Sequence, residues 1–217
     1  MWISPFLFWQ NLVKLKEIDL SSSKYLTKIP DLSKAKMIEK ICLHKCVSLE
    51  EVHSSIQYLN TLELLELGNC HNLMKLPSKI DSKVLNYLCV FSCPRIKRLP
   101  EYQGENLKSL YLDMTAIKDA TSTLPSILRS SALVKLIVYN CGNLSSLPEN
   151  FYKLKSLSDF YFISLQKPSM GKLTITPWHL GTLTLHLDQW IVHPDRKLIN
   201  KHNLKWHIRP DRLNWYL

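Results

Sequence analysis

Glycine is scarce, with five in 217 residues. They stand at 68, 104, 142, 171 and 181, and none lies in a G-x-x-x-x-G-K-(S/T) frame. That phosphate-cradling loop is missing from the sequence, so no nucleotide cofactor is expected. No run of 18 apolar residues occurs, which removes a membrane-spanning helix from the expectation. G-x-S-x-G and H-E-x-x-H are also missing. With no nucleophile elbow and no metalloprotease helix, the chain reads as non-enzymatic. Acidic residues are outnumbered, 18 Asp+Glu against 28 Lys+Arg, for a net charge of +10. Such a charge permits attraction to nucleic acid or anionic lipid without demonstrating it. The apolar opening MWISPFLFW, residues 1–9, lacks a basic flank and a small-residue cleavage site, so it makes a poor signal peptide.

What is present is a repeat. Leu15, Ile18, Leu20, Ser23, Leu26 and Ile29 share one spacing with Ile38, Ile41, Leu43, Cys46, Leu49 and Val52. The spacing returns from Leu62, Leu85, Leu107, Leu133 and Leu157, with the last copy incomplete. Seven units reading L-x-x-L-x-L-x-x-(C/S/T)-x-x-L-x-x-(L/I/V) are a leucine-rich-repeat signature. The expected fold is α/β: a curved horseshoe solenoid with a parallel concave sheet and an irregular or short-helical convex side. In each unit the x-L-x-L-x segment is a strand whose alternate apolar side chains point inward. No unit buries its own apolar face, so stability comes from neighbours. Prolines 30, 77, 100 and 148 follow the last apolar position and suit an irregular convex side. The array occupies residues 10–165. Residues 166–217 carry 8 Lys+Arg against 3 Asp+Glu, five of the eight histidines and no cysteine. This divergent basic tail reads either as a C-terminal cap or as a segment never selected to fold.

The repeat also sorts the cysteines. CLHKC at 42–46 and CVFSC at 89–93 share C-x3-C spacing. Their first cysteines, Cys42 and Cys89, lie between inward leucines and are expected on the solvent face. Their second cysteines fall in a column with other small polar or thiol side chains: Ser23, Cys46, Cys70, Cys93, Thr115 and Cys141. That column is expected to be a buried structural ladder. Thiols facing opposite ways do not readily share one metal, and the spacing departs from C-x2-C, so no metal site is expected. Zinc and disulfides remain as alternatives to free structural thiols. Unpaired thiols suit a reducing compartment, cytosol or nucleus. The tail histidines His179, His186 and His193 cannot share one helix, because Pro194 and the alternating TLTLHL stretch interrupt it.

NLVKLKEIDLSSSKYLTKIPDLSKA, LEEVHSSIQYLNTLELLELGNCHNLMKLP and LPENFYKLKSL resemble the leucine-rich repeats of plant intracellular nucleotide-binding disease-resistance proteins. The resemblance is to the class carrying a Toll/interleukin-1-receptor domain. GNCHNLMKLP and YNCGNLSSLP show its NxCxxLxxLP-like form, and the resemblance covers about residues 10–165. It implies a region that recognises pathogen effectors or their host targets.

Three function readings follow. The first is protein recognition in plant innate immunity through the concave face. The second is a truncated product with no specific ligand, or one that regulates a related full-length receptor. The third is nucleic-acid binding through the tail, where Arg196, Lys197, Lys201, Lys205, Arg209 and Arg212 interleave with Trp206 and Trp215. For the first, the candidate surface is Leu64, Tyr87, Phe91, Tyr111, Ile137, Tyr139 and Tyr161. Clustered exposed aromatics are common interface anchors. They can also be rungs stacked along a sheet.

Overall fold

The computed structural model describes residues 12–102, 104–113, 127–139, 154 and 156–163. Segments 1–9 and 166–217, Thr115, Cys141 and the side chains of Tyr139 and Tyr161 lie outside the described set.

Each x-L-x-L-x segment forms a strand. They are β1 (Glu17–Asp19), β2 (Lys40–Cys42), β3 (Leu64–Glu66), β5 (Tyr87–Val90), β7 (Ser109–Asp113), β8 (Lys135–Tyr139) and β9 (Asp159–Ile163). They pair in parallel, in the order β1-β2-β3-β5-β7-β8-β9. The register follows the repeat: Ile18 pairs with Ile41, Ile41 with Leu65, Leu65 with Leu88, Leu88 with Leu110 and Leu110 with Leu136. Every residue of that row is buried. A slip of one residue would turn the row outward, so burial fixes the register. The fold is a leucine-rich-repeat solenoid with a parallel sheet.

The strands end in a turn that recurs. Ser22, Lys45, Asn69 and Ser92 all have φ between 55° and 63°. This left-handed kink lets the ladder run past the strand. Ser22, Lys45 and Asn69 donate their N–H to the carbonyls of His44, Gly68 and Phe91, at 2.6, 2.8 and 2.8 Å. Asparagine tolerates the region better than lysine or serine. Lys45→Asn is therefore expected to stabilise the protein by about 0.5 kcal/mol. The check is a higher denaturant midpoint with unchanged slope.

The kink turns the next side chain inward. Cys46, Cys70 and Cys93 are buried, and each thiol donates to a carbonyl one unit back: Leu20, Leu43 and Leu67, at 3.1, 3.0 and 2.9 Å. A hydrogen bond with Cys70, together with burial, holds the Cys93 thiol well above its ordinary pKa. The five described cysteines are free thiols. Cys70→Ala removes the donor and opens a small void, and is expected to cost about 2 kcal/mol. Cys70→Ser keeps a donor and is expected to cost less, as compared denaturation curves of the two variants will show.

A second ladder sits where each unit enters its strand. Thr61 Oγ1 donates to the Ile38 carbonyl at 2.7 Å, Ser82 Oγ to Leu62 at 2.6 Å and Ser130 Oγ to Leu107 at 2.9 Å. Away from the main sheet lie a 3-10 turn, Ser54–Tyr58, capped by the His53 side chain, and a two-stranded parallel sheet. The latter pairs β4 (Lys79–Ile80) with β6 (Glu101–Tyr102). Tyr102 is fully buried, and its hydroxyl donates to the Leu85 carbonyl at 3.1 Å.

Candidate functional site

The outward positions of the main sheet form two complete rows. One runs Glu17, Lys40, Leu64, Tyr87, Ser109, Lys135, Asp159. The other runs Asp19, Cys42, Glu66, Cys89, Tyr111, Ile137, Tyr161. Tyr139 pairs with Asp113 and Ile163 just beyond them. The sheet thus brings Leu64, Tyr87, Tyr111 and Ile137 onto adjacent strands. Phe91 follows at the end of β5.

The first three strands carry charge. Lys40 Nζ lies 3.6 Å from Glu17 Oε2, with both side chains well exposed. Such a pair contributes little to stability. His44 Nδ1 lies 3.5 Å from Glu66 Oε1, too far for a good hydrogen bond, and no other polar atom among the described residues satisfies it. Gly68 makes room for that ring. A Cβ there would come within 3.0 Å of His44 Nδ1 and 3.4 Å of Cys89 Sγ.

From β3 onward the face turns apolar and aromatic. Leu64, Tyr87, Phe91, Tyr111 and Ile137 are all half-buried. The rings of Tyr87 and Tyr111 stand 5.4 Å apart, tilted by 42°. Lys135 Nζ lies 5.7 Å from the centre of the Tyr111 ring, within cation–π reach. Repeat spacing places that cation on the outward face, one strand along and two residues before the Ile137 that pairs with Tyr111, but does not show that it lies over the ring.

One expectation is corrected. Cys89 occupies an outward position but is buried, only 6% exposed. Its sulfur lies beside Gly68, where an added Cβ would be 3.4 Å away, and Tyr87 stands two residues earlier on the same face. Burial pushes the Cys89 thiol up to about 11. Burial first, then Cys89, raises the Tyr87 hydroxyl well above its ordinary value. Both groups are therefore neutral at physiological pH. Cys42, in the same row, stays partly exposed, as expected.

No group of three or more histidines, cysteines or carboxylates among the described residues is placed to hold a metal ion. No helix among them is long and apolar enough to cross a membrane.

No family model matches the chain. Curated proteins do. TMV resistance protein N of Nicotiana glutinosa is 32% identical over 176 residues, covering 80% of this chain and 15% of its own length. Disease resistance protein RPP2A of Arabidopsis thaliana is 36% identical over 140 residues, covering 64% of this chain and 10% of its own. Disease resistance protein RPP5 of the same plant is 35% identical over 152 residues, covering 70% and 10%. The chain thus spans a small fraction of the length of these relatives. A solved leucine-rich-repeat protein of Leptospira interrogans aligns over 95% of this chain and 81% of its own, with a TM-score of 0.23 and 15% identity. The repeat array of this chain belongs with plant disease-resistance proteins.

Proposed function

We propose that the chain is the protein-recognition module of a plant innate-immunity receptor, and that it binds a pathogen effector or host protein through the outward face of its main sheet. The observation that carries this reading is the joined patch of Leu64, Tyr87, Phe91, Tyr111 and Ile137. Four of the five stand in the two outward rows of adjacent strands, and all are half-buried rather than covered. Half-buried aromatics on a rigid sheet lose little side-chain freedom when a partner covers them, which suits them as anchors. The module acts in cytosol or nucleus, where its thiols stay reduced, and needs no nucleotide or metal of its own.

The test uses the full chain as bait in plant tissue, beside a Leu64→Asp/Ile137→Asp variant. These side chains do not belong to the buried row, so the variant is expected to keep its circular dichroism and melting transition. Captured effector or host protein is expected to fall by about tenfold or more. An unchanged capture by a folded variant would sink the reading.

A second reading has its own observation. The close approach of the Tyr87 and Tyr111 rings makes them cross-strand rungs, which contribute roughly 0.5–1 kcal/mol to the array itself. Tyr87→Ala and Tyr111→Ala separate the two roles. Destabilisation with capture intact assigns the rings to structure alone.

A further inference from the structure

Away from the main sheet, units one to three are tied by a second, sparse ladder: Lys28 bridges Glu51, and Glu51 bridges Lys75, all in parallel. Arg98 is the next residue of that column, yet among the described residues it makes no bridge to Lys75. No backbone hydrogen bond among them reaches the Met74 carbonyl or the Leu76 amide. The third and fourth units rejoin just beyond, where Glu101 N–H donates to the Ser78 carbonyl at 2.9 Å and β4 pairs with β6. Between these points lies a slot of about 350 Å³.

Its chemistry is one-sided. Val52, Leu76 and Pro77 supply an apolar wall, and Lys75, Lys97 and Arg98 supply cations. The one acid in the lining is Glu51, already shared between Lys28 at 3.8 Å and Lys75 at 4.0 Å. Lys97 and Arg98 are exposed and have no acidic partner among the described residues. An apolar wall beside two unmatched cations and an open strand edge is complementary to an extended segment carrying carboxylates on either side of an apolar residue.

We propose that this slot is a second protein-docking site, separate from the outward sheet face, and that it takes an acidic–apolar segment of a partner protein. The apolar side chain enters between Val52 and Pro77. The carboxylates meet Lys97 and Arg98.

The experiment titrates the full chain with a short fluorescein-labelled peptide alternating glutamate and leucine, and with its glutamine counterpart. The glutamate peptide is expected to bind about tenfold tighter or more, and Lys97→Glu/Arg98→Glu is expected to weaken it by about tenfold or more. Lys24→Glu/Lys34→Glu changes net charge equally at exposed positions of the first unit and is expected to shift binding by less than about twofold. Equal weakening by the two pairs would show attraction to the chain's overall charge and overturn the proposal. Equal binding of the two peptides would overturn it as well. Displacement by inorganic phosphate, or by a single-stranded oligonucleotide at lower concentration than the peptide, would make the slot an anion or nucleic-acid site instead.

Discussion

Leu65→Ala is expected to lower the free energy of unfolding by about 3 kcal/mol. Leu65 is 1% exposed and sits in β3, paired with Ile41 on one side and Leu88 on the other. Truncation removes three side-chain carbons from a site whose neighbours are held by the register of two further strands, so the void cannot readily collapse. In a solenoid each unit is stabilised through its two interfaces, and this change weakens both. Chemical denaturation should show a lower midpoint and a shallower transition, as the units before β3 uncouple from those after it. A loss under about 1 kcal/mol with an unchanged slope would mean that the array repacks around the gap.

Tyr102→Ala is expected to cost about 4 kcal/mol and Tyr102→Phe about 1.5 kcal/mol. The ring is fully buried, and the hydroxyl satisfies the Leu85 carbonyl just before β5 enters the main sheet. Burial pushes that hydroxyl up to about 12, so it stays a donor across the physiological range. Gly104 is part of the same arrangement, because a Cβ there would overlap the Tyr102 hydroxyl. The two costs separate the roles. If Phe is as damaging as Ala, the hydrogen bond outweighs the packing. If Phe costs nothing, the Leu85 carbonyl finds another donor.

The period alone makes the main sheet legible in the sequence. Once Leu20, Leu43, Leu67 and Val90 were placed in one column, every outward row followed by counting, because strand side chains alternate strictly. The column of Cys46, Cys70 and Cys93 was legible for the same reason. The serine ladder was not. Ser82 and Ser130 both stand three residues before the first leucine that follows, but Thr61 stands one residue before its own, so the ladder keeps no single offset from the leucines. The β4–β6 pair was not legible either, since two-residue strands carry no alternation. On the outward face, row membership was readable but depth was not. Cys89 is buried among neighbours that include Gly68, which is a fact about adjoining strands rather than about its own column.

Among the described residues, the inter-unit bonds donated by the buried thiols and hydroxyls run the same way. Cys46, Cys70, Cys93, Ser82 and Ser130 each reach a carbonyl of the preceding unit. Each unit thus brings its own donor and presents, at the same depth, the acceptor that the following unit needs. Duplicating or excising one whole unit leaves every donor facing an acceptor, whereas a cut within a unit strands one of each. Recombination between repeats can therefore change the length of the array, and with it the reach of the outward face, without leaving a buried polar atom unmatched. The seam between the third and fourth units, where Lys75 and Arg98 fail to bridge, is the place where such an exchange would create or erase a slot.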